Sequence, residues 1–394
     1  MISAATAGHY PNLDVTGSYT HGFSGSYGAL GLHGFAASPF KSAYGASVNL
    51  WWTLLDFGRT SAQVEAAEAR RDGAGAQLSL VIWMVQLEVT LTFHECVRTR
   101  QVHAASVSLV RERQQRVDLV LGQSESGTRS NLDLELARAD LARAKADERT
   151  LDADAAVCVL HLAANMGRNP DLEPLPIPGE NVSLGLIDYK DPNILQRALE
   201  YRPDLKLLRA RIDEAKAMRS RVTSGHFPEI RASASVGYAR VNEDFNPFSP
   251  DDPPFYSAGV GLHLPLFEGF RLYHESDAWG ARIRAYQAQE RAHINRVTAE
   301  VRTAIEHLKA SRIRFQLAEE GLPAAKRAFE LAKGQYEAGI TSALNLFTAE
   351  TALWNAHRDV AEARAALGKA LAHFEHVTGS DFAPLTAPVE HSRD

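Results

Sequence analysis

The sequence predicts a mainly α-helical fold with a smaller β part, built twice over from strand, strand and long helical hairpin. Three observations lead there. The stretch from Gly122 to Leu134 recurs from Gly334 to Leu346, 212 residues on, sharing the pattern G-Q-x-E-x-G-x-x-S-x-L-[D/N]-L. Long runs of helix-forming residues flank both copies. Ahead of each helical part stand two segments with apolar residues at every second position, the mark of strands.

The first strand is expected from Pro11, with Leu13, Val15 and Tyr19 on one face. A Gly/Ser-rich loop from His21 to Ser42 leads to a second strand carrying Val48, Leu50, Trp52 and Leu54. That strand runs into helix through Leu55-Asp56-Phe57-Gly58-Arg59. No proline falls between Pro39 and Pro170, so helix can continue on both sides of the first tip. Residues 56–126 would span roughly 105 Å and residues 128–166 roughly 60 Å at 1.5 Å per residue. At the tips, Gly127 and Gly339 can take the left-handed conformation that closes a helix. Ser130 and Ser342 can cap the next helix, and Asp133 stands where a capping box places its acid. Gly167 and Gly379 end the returning helices.

A proline-bearing connector, with Pro170, Pro174, Pro176 and Pro178, separates the units. A helix from Pro203 to Ser224 then leads into the third strand, from Pro228 to Tyr238, and the fourth carries Val260, Leu262, Leu264 and Leu266. The division expected is a first repeat over 1–168, a connector over 169–202, a second repeat over 203–380 and a tail over 381–394. The counterpart of the 203–224 helix should precede Tyr10, where nine residues stand. From that asymmetry the expectation is a chain lacking its signal and opening helix.

Composition narrows the function. Lys+Arg number 42 against Asp+Glu 48, which leaves no nucleic-acid footprint. Two cysteines exclude a disulfide-rich scaffold and a four-cysteine zinc site. The longest apolar run, Leu78 to Leu91, is broken by Gln86 and Glu88 and reads as too short for a spanning helix. Any membrane crossing is then expected from strands closed into a barrel. Four strands cannot close one alone, so copies must associate. No nucleophile–base pair, phosphate loop or catalytic carboxylate pair emerges, and no cofactor is implied.

The order of elements resembles the TolC-like outer membrane efflux proteins. The residues carrying that resemblance are Tyr-Pro-Asn-Leu at 10–13, Phe-Pro-Glu-Ile at 227–230, Leu-Leu-Asp-Phe-Gly-Arg at 54–59, Pro-Leu-Phe-Glu-Gly at 265–269, Tyr-Arg-Pro-Asp-Leu at 201–205 and both tips. The resemblance implies a homotrimer, a single twelve-stranded barrel in outer-membrane lipid and a helical tunnel across the periplasm. It implies a passive export duct, of the tripartite efflux or type I secretion kind. Its partners would be a periplasmic adaptor and an inner-membrane pump or ABC transporter. The adaptor-docking tips fall on Gly127, Ser130, Leu132, Gly339, Ser342 and Leu344. The family's latch tyrosine falls on Tyr336 and its carboxylate partner on Asp133. The acidic ring of the closed end falls on Asn345 and Thr348, which are uncharged. Rival readings are a soluble coiled-coil scaffold and a truncated chain that never reaches the membrane.

Cys96 and Cys158 lie 31 residues before and after Gly127, at one height on an antiparallel hairpin. They read as a disulfide or as two buried apolar cysteines facing different ways. His373 and His376 share a helix face, but no third ligand is near, so no metal site is assigned. The charges Arg111, Glu112, Arg113, Arg116 and Asp118 read mostly as a solvated face.

Overall fold

The computed structural model describes residues 2–22, 41–126, 130–169, 191–242 and 254–379. In chain order these form a short helix α1 (Ile2–Thr6), a 3-10 turn (Ala7–His9), β1 (Asn12–Gly22), β2 (Lys41–Leu55), α2 (Arg59–Glu125), α3 (Asn131–Asn165) and α4 (Ile194–Tyr201). Then come α5 (Pro203–Ser224), β3 (Glu229–Asn242), β4 (Phe255–His263), α6 (Arg271–Glu337) and α7 (Ala343–Thr378). The helices α2 and α6 each run for 67 residues. The chain divides into two compact units, Met1–Ala76 with Lys206–Arg291, and Gln77–Leu205 with Ala292–Asp394. Each unit draws on both copies of the sequence repeat.

In the first unit the strands lie side by side in the order β1-β2-β3-β4, every neighbour antiparallel. The register fixes which residues share a face, since side chains alternate along a strand. Val15, Val48, Val236 and Tyr256 stand in one row across all four strands. Leu13, Leu50, Ala234 and Ala258 form the next row on the same face. A β-bulge between Thr53 and Leu55 ends the regular pairing of β2. The chain then turns into α2 through Phe57 and Gly58, both left-handed, at φ 50° and 89°. Asp56 caps that helix, accepting from the amides of Gly58 at 3.1 Å and Thr60 at 2.7 Å. The same double left-handed step, through Gly269 and Phe270, precedes α6. Helix α5 is tied to α2 by Arg70–Glu214 at 2.6 Å and to α6 by Arg209–Glu290 at 3.0 Å.

In the second unit α2 lies against both α3 and α7. Toward α3 it is joined by a disulfide between Cys96 and Cys158, whose Cα atoms are 5.4 Å apart. Val97 and Leu162 pack around it. Toward α7 the approach is close at Gly368, where an added Cβ would sit 2.4 Å from the His94 ring. Beside it Lys369 meets Glu95 at 2.6 Å, and further along Trp83 stacks on His376 with centroids 3.5 Å apart. Glu95 is held down at a pKa of about 2, first by its hydrogen bond from Arg98.

The stretch expected to be plain connector holds a helix at its end. Helix α4 buries Ile194 and Ala198 with Leu205 against Val297, Val301 and Leu308 of α6 and Leu367, Ala370 and Phe374 of α7. Proline follows at 203, which fits the break between α4 and α5. The prolines at 170–178 and the tail at 381–394 lie outside the described residues.

The apolar run at 78–91 is not an isolated short segment, since it lies wholly within α2. An 18-residue window of that helix reaches a mean hydropathy of 1.4, long and apolar enough by composition to cross a membrane. Leu78, Val81, Ile82 and Val85 recur at helical spacing and stand exposed in the single chain. On α6 the positions 212 residues on are Glu290, His293, Ile294 and Val297. There Val297 is buried beneath α4, with Ile294 packed beside it, and His293 pairs with Asp204 at 2.8 Å.

Candidate functional site: sheet face and helix tips

Two places carry chemistry that packing alone does not require, and they belong to different compact units.

The first is the sheet. Its one face, set by the register, holds Leu13, Val15, Val48, Leu50, Trp52, Val236, Tyr256, Val260 and Leu262, all exposed except the half-buried Leu50. Val15 is 75% exposed and Tyr256 86%. The opposite face is polar and bonded across the strands. Thr16 and Ser47 hydroxyls are 2.8 Å apart, and Asn49 donates to Asp14 at 2.9 Å and to Thr16 at 3.0 Å. Ser235 in turn donates to the side-chain Oδ1 of Asn49 at 2.8 Å. A soluble two-faced sheet buries its apolar side, whereas a sheet whose bare side is apolar and whose other side is wet suits lipid on one side and water on the other.

The second is the tip region. At the turn from α6 to α7, Gly339 takes φ 73°, and its amide bonds the Tyr336 carbonyl at 3.0 Å. Ile340 returns its amide to Gln335 at 2.8 Å, so the helix closes on a left-handed glycine. Ser342 is the N-cap of α7 without a side-chain bond to the helix. Ser130 is the N-cap of α3 and does accept, from the Leu132 amide at 3.1 Å. The Asp133 amide bonds the Ser130 carbonyl at 3.1 Å. Gly127 lies outside the described residues. Leu132 and Leu344 project into solvent.

Tyr336 and Asp133 are placed differently from each other. Tyr336 is 1% exposed, packed with Val117, Val120, Leu134, Phe329 and Leu346 of its own chain. Asp133 is half-buried in the first turn of α3. Asn345 and Thr348 are exposed, three apart on α7; Asn345 donates to the Thr341 hydroxyl and Thr348 to the Leu344 carbonyl, each at 2.8 Å.

One set of charges departs from the solvated face expected of it. Arg113 is 8% exposed and meets Glu350, itself 4% exposed, at 3.2 Å. Arg116 lies 3.4 Å from the same carboxylate. Burial pushes the Glu350 carboxyl above its usual range, opposed by the two guanidinium charges. Helical spacing alone could not reveal this, because the partner is 237 residues away. Of the histidine pair, His376 lies under Trp83 while His373 stays exposed. Among the described residues no three His, Cys, Asp or Glu side chains converge as a metal site.

With this arrangement in hand the comparisons can be stated. The family model described as "Outer membrane efflux protein" matches residues 1–168 and 194–380. The chain belongs to the outer membrane efflux protein family. It is a TolC-like member, and solved structures of the same fold are outer-membrane channels rather than enzymes. Among curated relatives, Protein CyaE of Bordetella pertussis is 25% identical over 305 residues, 77% of this chain and 64% of CyaE. The chain therefore spans less than two thirds of that relative. Cobalt-zinc-cadmium resistance protein CzcC of Cupriavidus metallidurans is 25% identical over 307 residues, 76% of this chain and 68% of CzcC. The crystal structure of the outer membrane protein VceC from Vibrio cholerae superposes with a TM-score of 0.81 at 20% identity. That match covers 96% of this chain and 89% of VceC, and it speaks for the fold.

Proposed function

We propose that this efflux-family chain is a passive duct of the outer membrane, three copies of which contribute four strands each to one twelve-stranded barrel. The observation that carries this is the sheet, apolar and bare on one face and hydrogen-bonded and polar on the other. Among the described residues its edges β1 and β4 have no strand beyond them, and open edges do not survive in lipid. The apolar stripe on α2 supports association of the helical parts as well. The matched order and lengths of elements on either side of residues 169–202 support descent from a duplicated unit. The Cys96–Cys158 bridge supports a home in an oxidising compartment such as the periplasm.

The tips at Ser130, Leu132, Gly339, Ser342 and Leu344, with Gly127, are the surface offered to a periplasmic adaptor, and an inner-membrane pump or ABC transporter supplies the energy. Asp133 helps to hold neighbouring hairpins closed, with Tyr336, buried among Val117, Val120 and Leu346 of its own chain, supporting the tip from within, while Asn345 and Thr348 ring the constriction. A carboxylate ring concentrates cations and can be plugged by multivalent ones, whereas amide and hydroxyl groups attract them weakly.

Planar-bilayer recording of the detergent-purified protein tests this reading. The expected result is a small conductance, weak block by trivalent cations from the tip side, and a larger conductance in Asp133→Ala and Tyr336→Phe. A monomer that stays soluble without detergent and gives no conductance would favour a soluble coiled-coil scaffold. Tight trivalent block would overturn the uncharged ring.

A further inference from the structure

Arg113 and Arg116 of α2 converge on a single carboxylate of α7, within one compact unit. Arg113 donates through Nε to Glu350 at 3.2 Å and through Nη1 to the Asp140 carbonyl of α3 at 3.0 Å. Arg116 Nη2 stands 3.4 Å from Glu350 and 3.5 Å from the Asp140 carboxylate. The Arg113 guanidinium also lies over the Phe347 ring, 5.8 Å from its centre. So three helices, α2, α3 and α7, meet through four charged side chains.

Two cations share one buried anion, and the sharing is unequal. Arg116 keeps only 10% of its side chain exposed, yet its Nε and Nη2 find no hydrogen-bond partner among the described residues. Such an under-bonded buried group needs a physical account. A buried ion cluster adds little stability over apolar packing of the same volume, and its best-attested use is to fix register. Here a slide of α7 by one turn, about 5.4 Å, would break the contacts of both arginines with Glu350 and of Arg113 with Phe347, leaving those with Asp140 of α3 in place. A cavity of about 170 Å³ adjoins the cluster, lined by Arg116, Glu350, Tyr336 and Phe329 and also by the carboxylates of Glu112 and Glu337. That cavity gives Arg116 room to leave Glu350 toward Glu337, while Glu112 is already held by Lys333 at 3.1 Å.

We propose that Arg113, Arg116, Asp140 and Glu350 form an intrachain lock that holds α7 in register on the α2–α3 hairpin, with Arg116 as its movable member. The lock is separate from Asp133 and Tyr336 and acts inside one chain. Its link to opening rests on the reading of the tips as the gated end, and the test keeps the two apart.

Hydrogen–deuterium exchange on the full-length, detergent-solubilised protein compares wild type with Glu350→Gln and Arg116→Met. The expected result in both variants is exchange at least about tenfold faster over residues 343–360, with the amides around Cys96 and Cys158 unchanged. Unchanged exchange at 343–360 in both variants would overturn the lock. So would a uniform acceleration across the chain, since that marks a general stabiliser. Bilayer conductance is then read on the same variants. A rise in step with exchange supports the lock as part of opening. Faster exchange at constant conductance leaves the lock standing and counts against the tips as the gate.

Discussion

At position 376 a histidine lies flat on an indole, and that placement decides its protonation. Burial first, then the charges of Arg202 and His373, pull the His376 pKa from 6.5 to about 4, against a smaller opposing effect of Asp204. The folded chain therefore keeps a neutral imidazole, while the unfolded chain takes up a proton earlier as pH falls. Stability linked to this group is full above the unfolded value of 6.5 and is lost progressively as pH drops from there toward about 4. We expect the denaturant midpoint of wild type to fall between pH 7 and pH 4.5, and that of His376→Asn to fall less. Parallel declines would place the acid sensitivity elsewhere. The neighbouring Asp204 carboxyl is lowered as well, but by a cation rather than by burial, and its contribution is likewise lost as pH falls. Burial raises the Asp204 carboxyl, but the hydrogen bond and charge of Arg202, followed by His293, outweigh it and leave it below its ordinary range. None of this was legible in the sequence. His376 is separated by 293 residues from the Trp83 ring it stacks on, and a helix-face pattern reports spacing along one element only.

At the scale of elements, the disulfide is the tightest tie between α2 and α3. It closes a loop across 62 residues, so on chain-entropy grounds it stabilises the hairpin by about 2–4 kcal/mol. We expect reductant, or the pair Cys96→Ala and Cys158→Ala, to lower the thermal midpoint and loosen exchange around residues 90–100. A midpoint indifferent to reductant would show that the packing of Val97 and Leu162 suffices. Hairpin elements were the part most open to sequence reading, because tips, caps and lengths are local properties. Helix α5 runs over the expected Pro203–Ser224, and Gly167, Gly339 and Gly379 are left-handed at the ends of α3, α6 and α7. The two cysteines could be set at one height by counting from a tip, although counting could not turn them toward each other. Helix α4 escaped notice because eight residues between prolines give little periodic signal, and its place is set by the α6–α7 surface beneath it. The close contact of Gly368 with His94 escaped for the same reason. It depends on how α7 meets α2.

At the scale of the whole molecule, the sheet has two unlike rims. β1 forms one and β4 the other, and with an even number of antiparallel strands a β4 rim can receive the β1 rim of another copy, again antiparallel. Pairing β1 with β1 would turn one copy upside down, sending its helices to the opposite side of the bilayer. On the proposed barrel reading, head-to-tail pairing is the arrangement in which all copies share a direction, and such a series forms a ring when the rotation between copies closes. The consequence is a matter of inheritance. A copy lacking residues 12–22 still offers the β4 rim and the helices, so it would enter a ring that it cannot complete. Co-produced in equal amount with the intact chain, it should leave only about one ring in eight free of a defective member if three copies close. The expected phenotype is dominant: heat-resistant trimer and conductance fall far below half, although half of the chains are sound. A simple halving would mean that the shortened copy is excluded, and the allele would then be recessive.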